Sequence, residues 1–383
     1  MILKLSQTTF NHLGGNAMQK NDIILIHGTD YKAMTKRILE HADLAGQIGS
    51  RETLVALKPN LVNDTPPSHG ATTHSELVEG TLEYLLDHGF HRLMVMESSW
   101  VGGHTPDALR ATGLDRICRS LGVPFADLQK DTWKEYNAEG MRLSVCDQAM
   151  SAGFVINLPV LKGHCQTTVT CALKNNKGVI PNIEKRRFHT LGLHKPIAHL
   201  NTIVRNDFIL VDNICGDLDF EEGGNPVEMN RILGFRDPVL CDAFVCEAMG
   251  YLPSNVRYIT LAEELGVGST DLSSANRIYL NQPKDSSSWI RPSRRVRELA
   301  AYTDPSDACS ACYGSLIHAL DRLKESGKLH RKLPKIGIGQ GWQGKTGKIG
   351  IGRCTSCFHK NLQGCPPSAA QILEFLLANW SRS

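Results

Sequence analysis

The chain has 383 residues, 41% of them hydrophobic and 21% charged, with a formal net charge of +3. That is the make-up of a folding globular protein with room for two domains, or one large domain and an appendage. The mild charge and short basic clusters such as Lys185-Arg186-Arg187 exclude a nucleic-acid groove. No run approaches the roughly 18 apolar residues of a membrane helix, and the start lacks the order of a leader peptide, so no membrane partner and a cytoplasmic location are expected.

Residues 1–18 read as an unstructured segment, with Met18 a second possible start. From 19 to 270 strand and helix patterns alternate. Strands are expected at 22–27, 53–57, 92–97, 154–158 and 208–214, each a short apolar run without polar alternation, as in strands covered on both faces. Between them lie helix patterns such as 75–88, where Leu77, Val78, Leu82, Leu85 and Leu86 share a face and Gly89 stops the run. The expected fold is α/β, a mostly parallel sheet with helical crossovers. Residues 271–305 are polar and proline-punctuated, as a linker or excursion would be, and 306–383 form a small cysteine-rich C-terminal lobe. No internal repeat is read.

Open parallel sheets bind ligands at strand ends, so the loops there are the places to look. "LKPNLVNDTPPSHGATTHSE" is too long for a mere connection and sets Lys58 and Asn60 directly after a strand, while Thr73 and Glu76 suit a capping box. In "ESSWVGGHTPDALR", His104 is either a site residue or a solvated loop histidine. The densest stretch, "VINLPVLKGHCQTTVTCALKNNKGVIP", carries Asn157, Lys162, His164, Lys174, Asn175 and Lys177. Converging, these would make a positive, donor-rich pocket for phosphate or carboxylate groups; the alternative is a solvated basic loop. Asp212 ends the strand "ILVDNI", whereas Asp237 before a helix suits an N-cap.

These motifs, in this order and with "RDPVLCDAFVCEAMG" after them, resemble the family catalogued as "domain of unknown function 362" over roughly residues 50 to 250. The resemblance implies an association with iron–sulfur clusters carried by added cysteine motifs, and it implies no particular reaction. Two departures stand out: Val239-Leu240 replaces the usual valine–alanine pair, and the family's frequent ferredoxin-type insert is absent.

Twelve cysteines without an export signal are not expected to form disulfides. Cys118, Cys146, Cys165, Cys171, Cys215, Cys241 and Cys246 lie in apolar segments and read as inert thiols. The others, Cys309, Cys312, Cys354, Cys357 and Cys365, are the chemical group. Two CxxC pairs would make a zinc site, but they stand much further apart than in ribbons and fingers. An iron–sulfur cluster on Cys309, Cys312, Cys354 and Cys365 is favoured: Cys365 has the Cys-Pro ending of bacterial ferredoxin ligands, and Cys309, Cys312 and Cys365 are expected at helix starts. Between the pairs, Gly339-x-Gly341-x-x-Gly344 matches a dinucleotide fingerprint only formally, and a hairpin returning Cys354 to the first pair explains it better.

The resulting expectation is a [4Fe–4S] reductase or electron-transfer protein of anaerobic metabolism acting on a small anionic molecule. His164, Lys162 and Asp212 would be catalytic, with His164 as proton donor because imidazole titrates near neutrality. Lys58, Asn60, His104, Asn157, Lys174 and Asn175 would bind the substrate. A ferredoxin or flavin electron donor and a homodimer complete the expectation. Two readings stay open: a non-redox lyase or dehydratase with an open iron, and a binding protein with a structural cluster or a four-cysteine zinc site.

Overall fold

The structure, a computed structural model, describes residues 18–282, 295–329 and 334–380. The expected N-terminal segment, apart from the buried Met18, lies outside the described residues. Strands run in chain order as Asp22–His27 (β1), Val55–Pro59 (β2), Leu93–Glu97 (β3), Phe125–Asp127 (β4), Trp133–Ala138 (β5), Met141–Cys146 (β6), Phe154–Leu158 (β7), Lys162–His164 (β8), Thr168–Thr170 (β9), Phe208–Asp217 (β10), Pro226–Phe235 (β11) and Asn276–Tyr279 (β12). The main sheet has eight strands in the order β12-β1-β11-β10-β7-β2-β3-β4, and only β11 runs against its neighbours.

Strand alternation divides the core in two. Ile24, Ile26, Val55, Leu57, Val95, Ile156 and Leu210 pack with the helices Tyr31–His41, Ser75–Asp87 and Leu114–Ser120. Their neighbours Ile23, Leu25, Ala56, Met94, Val155 and Val211 pack with His194–Leu200, Pro238–Ala248 and Arg257–Glu264. Covering both faces is why these strands are apolar throughout. The expected linker is divided: β12 adds to the main sheet beside β1, and Thr303–Pro305 (β13) already belongs to the lobe. Within the linker, residues 283–294 lie outside the described residues.

In the lobe, β13 is joined by Ile336–Ile338 (β14), Ile349–Ile351 (β15) and Lys360–Leu362 (β16), all parallel. This corrects the hairpin expectation. β14 and β15 are both Ile-Gly-Ile, each followed by a positive-φ glycine, Gly339 or Gly352, and a 3-10 turn. "KIGIG" therefore occurs twice, at 335 and 348, a short repeat overlooked in sequence because each copy is too brief to show a helix or strand period. The helices Ser310–Glu325 and Ala369–Asn379 close this lobe around Leu316, Leu320, Ile338, Ile351, Ile372 and Leu376. No described helix is long and apolar enough to cross a membrane.

Two capping expectations part ways. Asp237 caps the helix Pro238–Ala248, accepting from the Val239 and Leu240 amides, and its other oxygen accepts from Ser269 N. The Thr73–Glu76 box does not form: His74 is the N-cap, and Thr73 Oγ1 instead accepts from Asn60 N and donates to Leu158 O. Asp237→Ala should cost about 2 kcal/mol, the upper end for a cap, since it also releases the 269 loop; urea unfolding of the variant against wild type measures it.

Candidate functional site

The loop from β10 to β11 carries Glu221 into the interior, where a carboxylate needs partners. Lys174 Nζ donates to Oε1 at 2.5 Å, and His164 Nε2 lies 2.8 Å from Oε2. Burial would raise Glu221, but His164 and Lys174 hold it well below the carboxylate range. Its carbonyl accepts from Lys162 Nζ at 2.9 Å. Asp217 shapes the loop by accepting from the amides of Asp219, Phe220 and Asn225.

Beside Glu221 opens a small cleft between the carboxyl ends of the main-sheet strands and the lobe. One wall comes from Glu97, Ser98, Trp100 and Val101 after β3, and another from Lys174, Asn175, Lys177 and Gly178. The helix Asn182–Thr190 adds Lys185 and His189, one turn apart on a shared face, and the lobe adds Cys309, Ser310 and Ala311. Gly178 is required: a Cβ there would overlap Glu97 Oε1. Lys185 Nζ bonds Ser98 O, Ser98 Oγ and Ser99 O, and burial takes it down to about 8. Burial, with Lys174 second, takes Lys177 down to about 7.

Of the residues expected here, Asn60, Lys174, Asn175 and Lys177 line the cleft. Lys58 stands just behind, its buried Nζ 2.5 Å from Glu97 Oε2, and Asn157 holds the Asn175 amide at 2.7 Å. Three assignments are corrected. Lys162 does not line the cleft: it donates to Ala71 O at 2.6 Å and to Glu221 O, tying two loops, and burial lowers it to about 7. His164 is no neutral-pH proton donor, because burial drives it down to about 4 and its Nδ1 already accepts from the amides of Gln166 and Thr167. Asp212 accepts from both His74 N and His74 Nδ1, fixing the start of the helix Ser75–Asp87 rather than reaching a ligand. His104 is the solvated alternative, exposed and 3.0 Å from Asp107. Sequence reasoning missed Glu97, Lys185, His189 and Glu221; only the i, i+4 spacing of Lys185 and His189 within an otherwise solvated-looking basic cluster signalled a common face.

The thiols of Cys309, Cys354 and Cys365 follow the ends of β13, β15 and β16, so stacked parallel strands deliver them to one edge. Cys312 lies one turn into the helix Ser310–Glu325, for which Cys309 is the N-cap residue. Burial raises Cys312 most, and the charges of Cys309, Cys365 and Cys354 raise it further. Burial likewise pushes Cys309 to about 11, with Cys354 and Cys365 adding to it and Lys177 and Arg186 opposing. After β14, where the repeat has no cysteine, Gln340 and Gln343 instead donate to Cys309 Sγ and Cys354 Sγ, each at 3.7 Å. Cys357 is exposed in the turn beyond. Cys365 does not start a helix as expected; Ser368 caps the last one, with a capping box to Gln371. Pro366 instead packs on Gly102, whose φ of +96° and missing side chain let the loop after β3 come that close.

A second group of metal-ligating type lies in the core. Cys171, Cys241 and Asp242 place their ligand atoms within 4.8 Å of one another, the sulphurs being 3.7 Å apart, and Tyr258 donates to Asp242. Among the described residues this is the trio with single-ion spacing. No three of the tail thiols come within 4.8 Å of one another, whereas Zn–S bonds of about 2.3 Å would bring sulphurs to about 3.8 Å. A cubane, with each thiolate on its own iron, asks for a wider spacing than a single ion does.

The family model described as "Domain of unknown function (DUF362)" matches residues 55–247, half of the chain. The thylakoid-associated protein sll1697 of Synechocystis sp. is 22% identical over 249 residues, covering 62% of this chain and 76% of that protein. The lactate racemase apoprotein from Thermoanaerobacterium thermosaccharolyticum is similar at a TM-score of 0.40 and 16% identity, over 58% of this chain and 56% of that one. This chain thus spans little more than half of that structure's length.

Two outcomes follow from the buried charges. Lys162→Met should lower unfolding stability by about 3 kcal/mol, as expected when a buried charged donor leaves its acceptors unpaired, while anion affinity measured by calorimetry stays unchanged. Glu222, half-buried against Gly314, is raised by desolvation from 4.5 to about 8. The native state therefore keeps a proton that the unfolded chain releases above pH 4.5, and wild type loses stability between 4.5 and about 8, by at most about 1.4 kcal/mol per unit. Glu222→Gln should remove that slope, so urea midpoints of the two proteins should diverge from pH 5 to pH 8 in the variant's favour.

Proposed function

The chain belongs to the family described as a domain of unknown function, DUF362, and from that premise we propose that it is a [4Fe–4S] protein passing single electrons to a small anionic molecule held in the cleft. The observation that carries this reading is the position of Cys309, which is both a member of the thiol quartet and a wall of the cleft. A ligand seated there would stand against a cluster thiolate. The cluster, when bound, would supply one-electron transfer.

Cys309, Cys312, Cys354 and Cys365 are the proposed ligands. Gln340 and Gln343, donating to sulphur, would orient and stabilise the thiolates as outer partners do in metal sites. Lys177 and Arg186 offset negative charge at Cys309. In the cleft, the pairing of Lys58 with Glu97 and of Lys174 with Glu221 fixes side chains that would otherwise be free to rotate. The helix Ser310–Glu325, whose N-cap residue is Cys309, closes one side. A ferredoxin or flavin as electron donor, a homodimer and a cytoplasmic location belong to the same proposal. A second reading, a lyase or dehydratase with an open iron, draws on the exposure of Cys365, the member of the quartet easiest to displace. A redox titration separates them: an open iron would change its spectrum when substrate is added without any change of potential.

Protein purified anaerobically should contain about four irons and absorb broadly near roughly 400 nm, as a cubane held by four cysteines does. Serine at 309, 312, 354 or 365 should lose or degrade the band, and Cys357→Ser should keep it. Zinc in place of iron, together with dependence on Cys357 and indifference to Cys365, would overturn the proposal.

A further inference from the structure

The cleft's cations are not equivalent. Lys174 is engaged by Glu221, and Lys185 by the Ser98 and Ser99 carbonyls. Lys177 Nζ makes no hydrogen bond or ion pair with any described residue; Lys174, Glu221, Lys185 and Cys309 act on it only through space. His189, 7% exposed, is the second group with unused capacity. Its Nε2 accepts the amide proton of Ser310 at 3.4 Å, so the ring's own proton sits on Nδ1, and Nδ1 has no partner among the described residues. Both groups line the same cleft. Each is a donor without an acceptor among the described residues; His189 is buried, where an unpaired donor is costly, and Lys177 is half-buried at the cleft wall.

We infer that Lys177 and His189 jointly seat one carboxylate of a small organic acid, whose apolar body lies against Val62, Trp100 and Val101 beside Cys309. This rests on the reading of the cleft as an anion site and adds the class of anion. Charge supports a monoanion: Glu97 is paired with Lys58 and Glu221 with Lys174, and Lys185 is engaged by Ser98 and Ser99, which leaves Lys177 as the lining lysine without a partner among the described residues. Two free donors match the two oxygens of a carboxylate, whereas a phosphate dianion presents more acceptors and twice the charge. Val62, Val101 and the ring face of Trp100 suit a hydrocarbon chain.

The test is calorimetric titration of the anaerobically purified protein with butyrate and, separately, with inorganic phosphate, while the band near roughly 400 nm is recorded on the same samples. Butyrate should bind in preference to phosphate, and Lys177→Gln and His189→Leu should each weaken it about 10- to 150-fold, the range for one charge-assisted hydrogen bond. His189→Gln, which keeps a side-chain N–H, should retain more affinity than His189→Leu and guards against a folding defect in the latter. Butyrate binding that depends on both residues in protein lacking the band would uphold the anchor and sink the cluster reading. An intact band with no butyrate binding, with phosphate preferred, or with affinity unchanged in Lys177→Gln and both His189 variants would overturn the anchor.

Discussion

A carboxylate in a protein interior must be paired, and Glu221 is where this requirement organises the molecule. Its partners come from the stretch between β7 and the helix Asn182–Thr190: His164 from β8 and Lys174 from the helix Ala172–Asn175. Its neighbour Phe220 is buried in the apolar core of the lobe. One loop therefore holds a charge cluster on the sheet side and an apolar anchor on the lobe side, and the cleft lies between. Gln166 reinforces the junction by donating to Ala308 O and accepting from Ser310 Oγ. Loss of the pairing would disturb lobe docking as well as the cleft.

Most of the sheet was legible because its strands are buried on both faces. The expected 22–27 and 154–158 strands coincide with β1 and β7, and the other three differ from β2, β3 and β10 only at their ends. The hairpin β5–β6 was not seen: β5, with Trp133, Lys134 and Glu135 exposed, lacks the apolar run that marked the others. Neither was β11, whose first half, Pro226 to Asn230, is exposed or half-exposed and mixes polar with apolar residues. In the site, residue type pointed to the right segment but not to the right side chains. Lys162 and Lys174 look alike in sequence; one ties the Ala71 and Glu221 carbonyls, while the other pairs with the Glu221 carboxylate and lines the cleft. His164 failed as a proton donor for a reason composition cannot carry, which is the depth at which the loop buries it. Glu221 was passed over because nothing local distinguishes it from the acidic residues around it.

The cysteines separate differently. Grouping by position along the chain set apart the tail thiols, and the stacked strands give that grouping a physical basis, since residues at matching ends of parallel strands stand at neighbouring heights. The same rule left Cys171 and Cys241 among the inert thiols, although they meet across two elements beside Asp242. Contact between residues 70 positions apart has no local signal.

The parallel stack also sets an order of events during synthesis. Cys309 and Cys312 leave the ribosome after the whole main sheet, but Cys354 and Cys365 follow only once β15 and β16 have been made. Domains fold as units, N-terminal first, so the sheet can pair Glu221 with Lys174 and His164 before the lobe exists. At that stage the cleft is an open shelf lacking its Cys309 wall. Whatever maturation the thiols undergo must come last, on a scaffold already folded, and the finished lobe then acts as the closing side of a site whose charged floor was laid down first.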